Sequence, residues 1–319
     1  MRRTIVAAAF LLGAVLTRSA PAADIPISDG TRILFIGNSF TELFGGVDSY
    51  VKAACAASKP PIKITTKRII GWAQELSNLY ANTDAVNEIK NGKWNIVVLQ
   101  GFNNAQNWPP GSVESFYDSV RRFDAVIKAT GGKTVLFMHW AGNPTKNWMG
   151  EAKYENDTKT LVDNYTRIGK EIGAVVVPCG LVLHDLTKNP PAKDLPKDYL
   201  YHDDIHQNAL SSGINGYTFF TMLTHRSPIG MHYTLGDFKP DAAMEKAIQE
   251  RVWKIIGDRE PWAKAVTGAA KTDAGKAKGD QGRTVLSFRK SHPPLNLSWP
   301  SWAGLPSGTS RHPSIRIGT

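Results

Sequence analysis

The sequence lacks the motifs and the cysteine content that define several large protein classes. Only two cysteines occur in 319 residues, Cys55 and Cys179, and two cysteines so far apart do not have the spacing of a metal site. A disulfide and two separately buried thiols both stay open for this pair. The sequence contains no Gly-x-Gly-x-x-Gly motif, no phosphate-binding loop and no Gly-x-Ser-x-Gly motif. Nucleotide binding and the nucleophile motif of the α/β-hydrolases therefore have no support.

Long hydrophobic runs are absent except near the N-terminus. Two arginines precede an apolar run over residues 5–16, and the small residues Ala20-Pro21-Ala22 follow it. This pattern predicts a general-secretion signal peptide over residues 1–22, cleaved near Ala22, and a periplasmic or secreted mature protein. The run is too short for a membrane-spanning helix, so we expect no integral membrane segment.

An excess of one charge is absent from the central part of the chain. The formal net charge is +10, but residues 23–262 hold 26 basic and 26 acidic residues. The excess belongs to the predicted signal peptide and to residues 263–319, a segment rich in Gly, Ala, Lys, Ser and Pro that we predict to be disordered. A neutral central domain gives no reason to expect nucleic acid as a partner.

Buried strand patterns and helical patterns alternate through residues 23–262. Strands are predicted at 33–36, 62–66, 94–100, 133–139 and 174–177. Helices are predicted at 43–58, 73–81, 113–130, 154–172, 207–225 and 241–256. The stretch 178–201 is predicted to be mostly loop with one helical turn. This alternation predicts a three-layer α/β/α sandwich around a five-stranded parallel sheet, with flavodoxin-like topology.

The first predicted strand ends in Gly37-Asn38-Ser39, just before a helical stretch. A serine at the carboxyl end of a buried parallel strand lies where open α/β sheets place their ligands. It would also lie near the free N–H groups at the start of the next helix, which is the geometry of a serine nucleophile beside an oxyanion site. The alternative is that Ser39 only caps the helix.

A second polar stretch, Tyr201-His202-Asp203-Asp204-Ile205-His206, joins a loop to a predicted helix. A carboxylate three residues before a histidine can accept from Nδ1–H and leave Nε2 free to act as a base. We therefore assign Asp203 as the orienting acid and His206 as the base, with Asp204 pointing elsewhere. Two alternatives are a solvated charged loop and a metal cluster of His202, Asp203, Asp204 and His206 in a metal-dependent phosphoesterase.

Four short blocks together resemble the SGNH (GDSL-type) hydrolases. They are Gly37-Asn38-Ser39-Phe40, Gly71, Gly101-Phe102-Asn103-Asn104 and Asp203-Asp204-Ile205-His206. The resemblance implies a three-layer SGNH hydrolase fold and ester hydrolysis by Ser39, without a metal or other cofactor. It also implies an oxyanion hole made of the N–H groups of Ser39 and Gly71 and the side-chain amide of Asn103. Asn38 and Asn104 depart from the family, which usually has aspartate at both positions.

Four tryptophans fall in loops predicted at the carboxyl edge of the sheet. They are Trp72, Trp108, Trp140 and Trp148. Indole rings stack on sugar rings, so we expect a carbohydrate ester as substrate, with acetyl groups on a polysaccharide as our hypothesis. The alternative is that these side chains form local core. A small-molecule ester and a non-catalytic glycan-binding protein on the same scaffold also stay open, and the sequence makes no prediction about oligomeric state.

Overall fold

The computed structural model describes residue 25 and residues 27–257. The predicted signal peptide 1–22 and basic tail 263–319 lie outside the described residues, so both stay predictions, as do the predicted domain limits 23–262. Among the described residues, no helix combines the length and the apolar character needed to span a membrane.

Five parallel strands form one sheet in the order β2-β1-β3-β4-β5. The strands are β1 (Arg32–Gly37), β2 (Thr65–Ile70), β3 (Ile96–Leu99), β4 (Lys133–Phe137) and β5 (Val175–Val177). The chain runs from β1 outward to β2 and then returns to the other side of β1 with β3. The carboxyl ends of β1 and β3 therefore flank a topological switch point, where ligands bind in sheets of this type.

Nine α-helices connect and cover the strands in the described part of the chain. They are α1 (Ser39–Glu42), α2 (Val47–Ala57), α3 (Leu76–Asn82), α4 (Ala85–Asn91), α5 (Val113–Ala129), α6 (Gly150–Ile172), α7 (Cys179–Lys188), α8 (Ala209–Thr224) and α9 (Ala242–Val252). A 3₁₀ turn, Asn103–Gln106, follows β3.

The side chains of β1 point alternately into two separate hydrophobic clusters, as strand geometry requires. Ile33 and Phe35 pack with residues of α2, α7, α8 and α9 on one face. Leu34 and Ile36 pack with residues of α3, α4, α5 and α6 on the other face. Both faces are buried, which explains the continuous apolar run of β1 and confirms the predicted three-layer α/β/α sandwich.

The second strand and one helix differ from the sequence prediction. β2 spans Thr65–Ile70 and pairs with β1, whereas the sequence predicts a strand at 62–66. The prediction falls too early because Ile62 and Ile64, which precede the strand, are buried apolar residues. β2 is an edge strand with alternating exposed residues, so it has no continuous apolar run to mark it. Residues 178–201 are mostly non-helical, as predicted, but the one helical turn predicted there is the longer helix α7, which has ten residues.

The two cysteines are buried and unpaired. Cys55 lies in α2, and Cys179 is the first residue of α7. Burial raises the pKa of Cys55 to about 12 and raises that of Cys179 as well. Both thiols therefore behave as small apolar core groups, which resolves the alternative left open by the sequence.

Candidate active site

The turn that follows β1 presents Ser39 at the carboxyl edge of the sheet. Asn38 caps α1, because its Oδ1 accepts the N–H of Phe40 at 3.1 Å. Ser39 is therefore not the capping residue, and its hydroxyl is free for another contact. The Ser39 residue is only 5% exposed.

A buried glutamine after β3 fixes this turn. Gln100 Oε1 accepts hydrogen bonds from the Asn38 N–H at 2.9 Å and from the Thr41 hydroxyl at 3.0 Å. A Cβ atom on Gly37 would lie 2.6 Å from this Gln100 oxygen and 2.3 Å from Thr41 Oγ1. Any larger residue at position 37 would therefore displace the Gln100 and Thr41 side chains that fix the turn.

Ser39, His206 and Asp203 form a continuous hydrogen-bonded chain. His206 Nε2 lies 2.9 Å from Ser39 Oγ, and His206 Nδ1 lies 2.8 Å from Asp203 Oδ2. An ionised carboxylate can only accept, so Nδ1 carries the proton and Nε2 presents its lone pair to the Ser39 hydroxyl. This is the tautomer that a general base needs.

Asp203 is held in place by the turn that it begins. Its second oxygen, Oδ1, accepts the backbone N–H groups of Ile205 at 2.9 Å and His206 at 2.8 Å. Desolvation raises the pKa of Asp203, but the hydrogen bonds from the His206 ring and the two backbone N–H groups outweigh it and hold the pKa well below its usual range. The carboxylate therefore stays ionised behind the imidazole.

Two side chains outside the turn hold its backbone, and a third ties the histidine segment to the turn after β1. Trp140 Nε1 donates to Ile205 O at 2.9 Å, and Asn143 Nδ2 donates to Asp203 O at 3.2 Å. Gln207 Nε2 donates to Phe40 O at 2.9 Å and so ties the histidine segment to the residue after Ser39. Asn143 and Gln207 have no recognisable pattern in the sequence, because their side chains bond to carbonyls that are distant along the chain.

The ring of Phe40 packs between the two halves of the site. Its centroid lies 5.5 Å from the ring of His206 and 5.9 Å from the ring of Phe102. On another side it stacks on His139 at 4.9 Å. Burial lowers the pKa of His139 to about 4, so this second imidazole is a neutral part of the core at ordinary pH.

The expected oxyanion donors divide into two groups. The first group contains the backbone N–H of Ser39, the first residue of α1, and the side-chain amide of the half-buried Asn103, the first residue of the 3₁₀ turn. Neither donates a hydrogen bond to another group within residues 27–257. The Gly71 N–H, in contrast, donates to Gly37 O at 3.0 Å and continues the β1–β2 ladder. The expectation for Gly71 was therefore wrong, because its donor is already used by the sheet.

The four tryptophans separate into one core residue and three surface residues. Trp140 is 2% exposed and packs in the core, so its expected role in contacting substrate was wrong. Trp72, Trp108 and Trp148 are 59%, 45% and 49% exposed, and they lie on the segments that follow β2, β3 and β4. These three side chains stand at the same sheet edge as Ser39.

The residues of the alternative metal cluster contact different partners. Asp203 faces His206, whereas Asp204 faces Lys146 at 3.2 Å and the Trp148 indole N–H at 3.3 Å. The ring of His202 lies against that of Phe44 at 5.3 Å. Within the described part of the chain, no three His, Cys, Asp or Glu side chains are grouped so that they could hold a metal ion.

Comparison with known proteins identifies the fold. The structure is similar to a DUF4886 family protein from Bacteroides uniformis, with a TM-score of 0.55, 16% identity, and coverage of 71% of this chain and 95% of that one. It is also similar to a protein from Parabacteroides merdae provisionally described as a GDSL-like lipase, with a TM-score of 0.50, 15% identity, and coverage of 63% and 99%. The chain has the SGNH hydrolase fold.

Other comparisons add little to the SGNH assignment. An acetylxylan esterase from Geobacillus stearothermophilus matches with a TM-score of 0.48 and 16% identity, covering 61% of this chain and 94% of that one. A match at this level carries no information about substrate. No protein-family model and no curated protein sequence matches the chain. Within the SGNH fold, the first and last blocks contribute Ser39 and the Asp203–His206 pair to one hydrogen-bonded chain.

Proposed function

We propose that the protein is an exported serine esterase that hydrolyses carboxylic esters through an acyl-serine intermediate. The observation that carries this proposal is the chain of contacts from Ser39 Oγ to His206 Nε2 at 2.9 Å and from His206 Nδ1 to Asp203 at 2.8 Å. A serine hydroxyl within hydrogen-bond reach of a correctly oriented imidazole is the arrangement that activates a serine nucleophile.

In the proposed reaction, His206 Nε2 takes the proton of Ser39 as Oγ attacks the ester carbonyl carbon. The carbonyl π electrons move to oxygen, and Asp203 stabilises the imidazolium that forms. When the tetrahedral intermediate collapses, the alkoxide leaves with the proton from His206 and the acyl group stays on Ser39. A water molecule, deprotonated by the same imidazole, then attacks the acyl-serine. As the bond between the acyl carbon and Ser39 Oγ breaks, His206 returns the proton to Oγ and the acid is released.

We assign two groups to stabilise the negative oxygen of the intermediate. The Ser39 N–H lies at the amino end of α1, and the Asn103 amide begins the 3₁₀ turn after β3. Each preorganised donor of this kind typically contributes about 3–4 kcal/mol to lowering the barrier. Gly71 is not part of this proposed pair, because its N–H is bonded to Gly37.

A labelling experiment tests the proposed chemistry. An organophosphonate probe should label the wild-type protein with or without a chelator, and Ser39→Ala should abolish both labelling and ester hydrolysis while leaving the circular dichroism spectrum unchanged. Ser115→Ala, at an exposed position on α5, is the matched control and should be labelled normally. Hydrolysis by Ser39→Ala near the wild-type rate, or activity that depends on a metal, would contradict the proposal.

The exposed tryptophans support a carbohydrate ester as substrate, with acetyl groups as the group removed. Trp72, Trp108 and Trp148 give the Ser39 edge of the sheet three partly exposed indole rings. Large exposed aromatic side chains grouped around a site commonly mark a binding surface. Acetyl release from acetylated xylan, pectin fragments and peptidoglycan should exceed hydrolysis of long-chain lipid esters. Preference for the lipid esters would overturn the substrate part of the proposal and leave the ester chemistry in place.

A further inference from the structure

The loop between β2 and α3, residues 71–75, is fastened at two consecutive residues by two asparagines. Asn38 Nδ2 donates to the backbone oxygen of Gln74 at 3.1 Å. Asn104 Nδ2 donates to the side-chain oxygen Glu75 Oε2 at 2.9 Å. Both asparagines are fully buried, so these hydrogen bonds form away from competing water.

Each asparagine is the chain neighbour of a proposed catalytic group. Asn38 precedes Ser39, whose N–H begins α1, and Asn104 follows Asn103 in the 3₁₀ turn after β3. The 71–75 loop is therefore bonded to both segments that supply the proposed oxyanion donors. A displacement of this loop would therefore be transmitted to Ser39 through Asn38 and to Asn103 through Asn104.

An aspartate at either position would lose the hydrogen bond that the asparagine donates to the loop. A carboxylate at position 38 could still accept the Phe40 N–H but could not donate to Gln74 O. A carboxylate at position 104 would face the carboxylate of Glu75, whose pKa is already raised by burial. Asn104 Oδ1 is buried and has no donor in the described part of the chain, so an added negative charge there would have no partner.

We propose that Asn38 and Asn104 are positioning residues that fix the 71–75 loop against the Ser39 and Asn103 turns and so hold the oxyanion donors in place. The inference rests on the proposed function, because the oxyanion exists only in an acyl-transfer reaction. It also gives a physical reason for the two departures from the SGNH pattern. An ionised aspartate, usual in that family at both positions, cannot donate a hydrogen bond to Gln74 O or to Glu75 Oε2, which the loop presents here.

Reversing the polarity of the Asn104–Glu75 hydrogen bond tests the inference. Asn104→Asp should lower kcat by about 10- to 100-fold with little change in KM, because misplaced catalytic groups cost rate more than substrate binding. Glu75→Gln keeps an acceptor oxygen for Asn104 and should retain kcat within about threefold. In the double variant, the new amide at position 75 can donate to the new carboxylate at position 104, so kcat should return to within about threefold of Glu75→Gln alone.

Asn38→Asp supplies a second, independent variant. It preserves the cap on Phe40, so the fold should be retained, but it removes the donor to Gln74 O. We expect a kcat loss of about tenfold with little change in KM. Asn78→Asp, at an exposed position on α3, introduces the same charge near the loop without either contact and should leave kcat unchanged.

The outcomes separate the inference from the proposed function. If the wild type hydrolyses esters and is labelled at Ser39, wild-type kcat in Asn104→Asp and Asn38→Asp would overturn the inference alone. A double variant as impaired as Asn104→Asp would overturn it too. That result would mean that Asn104→Asp lowers kcat by disturbing the fold rather than by losing its hydrogen bond to Glu75. A wild-type protein without hydrolysis or labelling would overturn the proposed function and this inference with it.

Discussion

The proposed acid–base side and the proposed oxyanion side of the site are built in different ways. On the acid–base side, Asp203 and His206 lie three residues apart, and their contact is closed within one turn of backbone. On the oxyanion side, the donors come from separate segments after β1 and β3, and their positions depend on contacts across the sheet. Local geometry therefore fixes the Asp203–His206 contact, whereas tertiary packing fixes the positions of the proposed donors.

This difference teaches which parts of a site a sequence can specify by itself. The local pattern Asp-x-x-His is enough to place a carboxylate where it accepts a hydrogen bond from Nδ1–H of the histidine. Whether the Gly71 N–H is free to bind an oxyanion depends instead on how far β2 pairs with β1. The pairing extends to Ile70, so the Gly71 N–H donates to Gly37 O and is not free. Three predictions probe this contrast by removing one group from each side and one from the core between them.

The largest effect is expected on the acid–base side. Asp203→Asn should lower kcat by about 10⁴-fold, because its Oδ1 can still accept the two backbone N–H groups while its NH₂ faces His206. That arrangement forces Nδ1 to accept and places the ring proton on Nε2, where it cannot take the proton of Ser39. Steady-state kinetics with a small aryl acetate measures the loss. A variant within tenfold of wild type would mean that Asp203 does not control the tautomer.

A smaller loss is expected on the oxyanion side. Asn103→Ala should lower kcat by about 10²- to 10³-fold, since one preorganised donor is removed and the Ser39 N–H stays. Labelling of Ser39 should persist at a reduced rate because the nucleophile and base are intact. Asn87→Ala, at an exposed position on α4, is the matched control. A loss smaller than threefold would show that the Asn103 amide does not reach the reacting oxygen.

The third and smallest effect concerns His139, which lies behind Phe40. Because burial lowers its pKa to about 4, the unfolded chain, with a pKa of about 6.5, binds more protons in the interval between these values. The free energy of unfolding therefore falls as pH drops from 6.5 to 4, and His139 contributes about 2 kcal/mol of the loss between pH 6.5 and 4.5.

His139→Gln should make that acid-induced loss of stability shallower. The difference corresponds to roughly 4–8 °C in Tm over this pH interval for a domain of this size. Thermal unfolding of the wild type and the variant at pH 4.5, 5.5 and 6.5 measures it. The variant is expected to be less stable at pH 6.5, since the ring stacked on Phe40 is lost. Parallel pH dependences in the two proteins would contradict the assignment of His139 as a buried neutral imidazole.

The parts of the structure that the sequence predicted correctly are those with strong local signals. β1 and β3 are continuous apolar runs because both faces of the sheet are covered, and such runs are easily recognised. The contact between Asp203 and His206, and the outward direction of Asp204, follow from spacing within one turn. The proposed roles of Ser39, Asp203 and His206 stay predictions until they are tested by mutation.

The parts that were wrong depend on interactions that no short window of sequence contains. β2 is an edge strand with exposed residues on alternate positions, so the buried Ile62 and Ile64 ahead of it gave the stronger signal. Trp140 was expected at the surface, yet it is in the core because its indole N–H reaches Ile205 O, 65 residues away. Exposure of an aromatic side chain is decided by such distant partners rather than by its neighbours in the chain.

The contact between Ser39 and His206 spans 167 positions of the chain. Every strand of the sheet lies between these two residues or directly before the first. If Ser39 and His206 act as proposed, a partly synthesised or partly folded chain has the serine without its base, and the hydroxyl stays an ordinary alcohol. Reactivity toward an organophosphonate would thus serve as a direct chemical report that the segment after α7 has docked against the turn after β1.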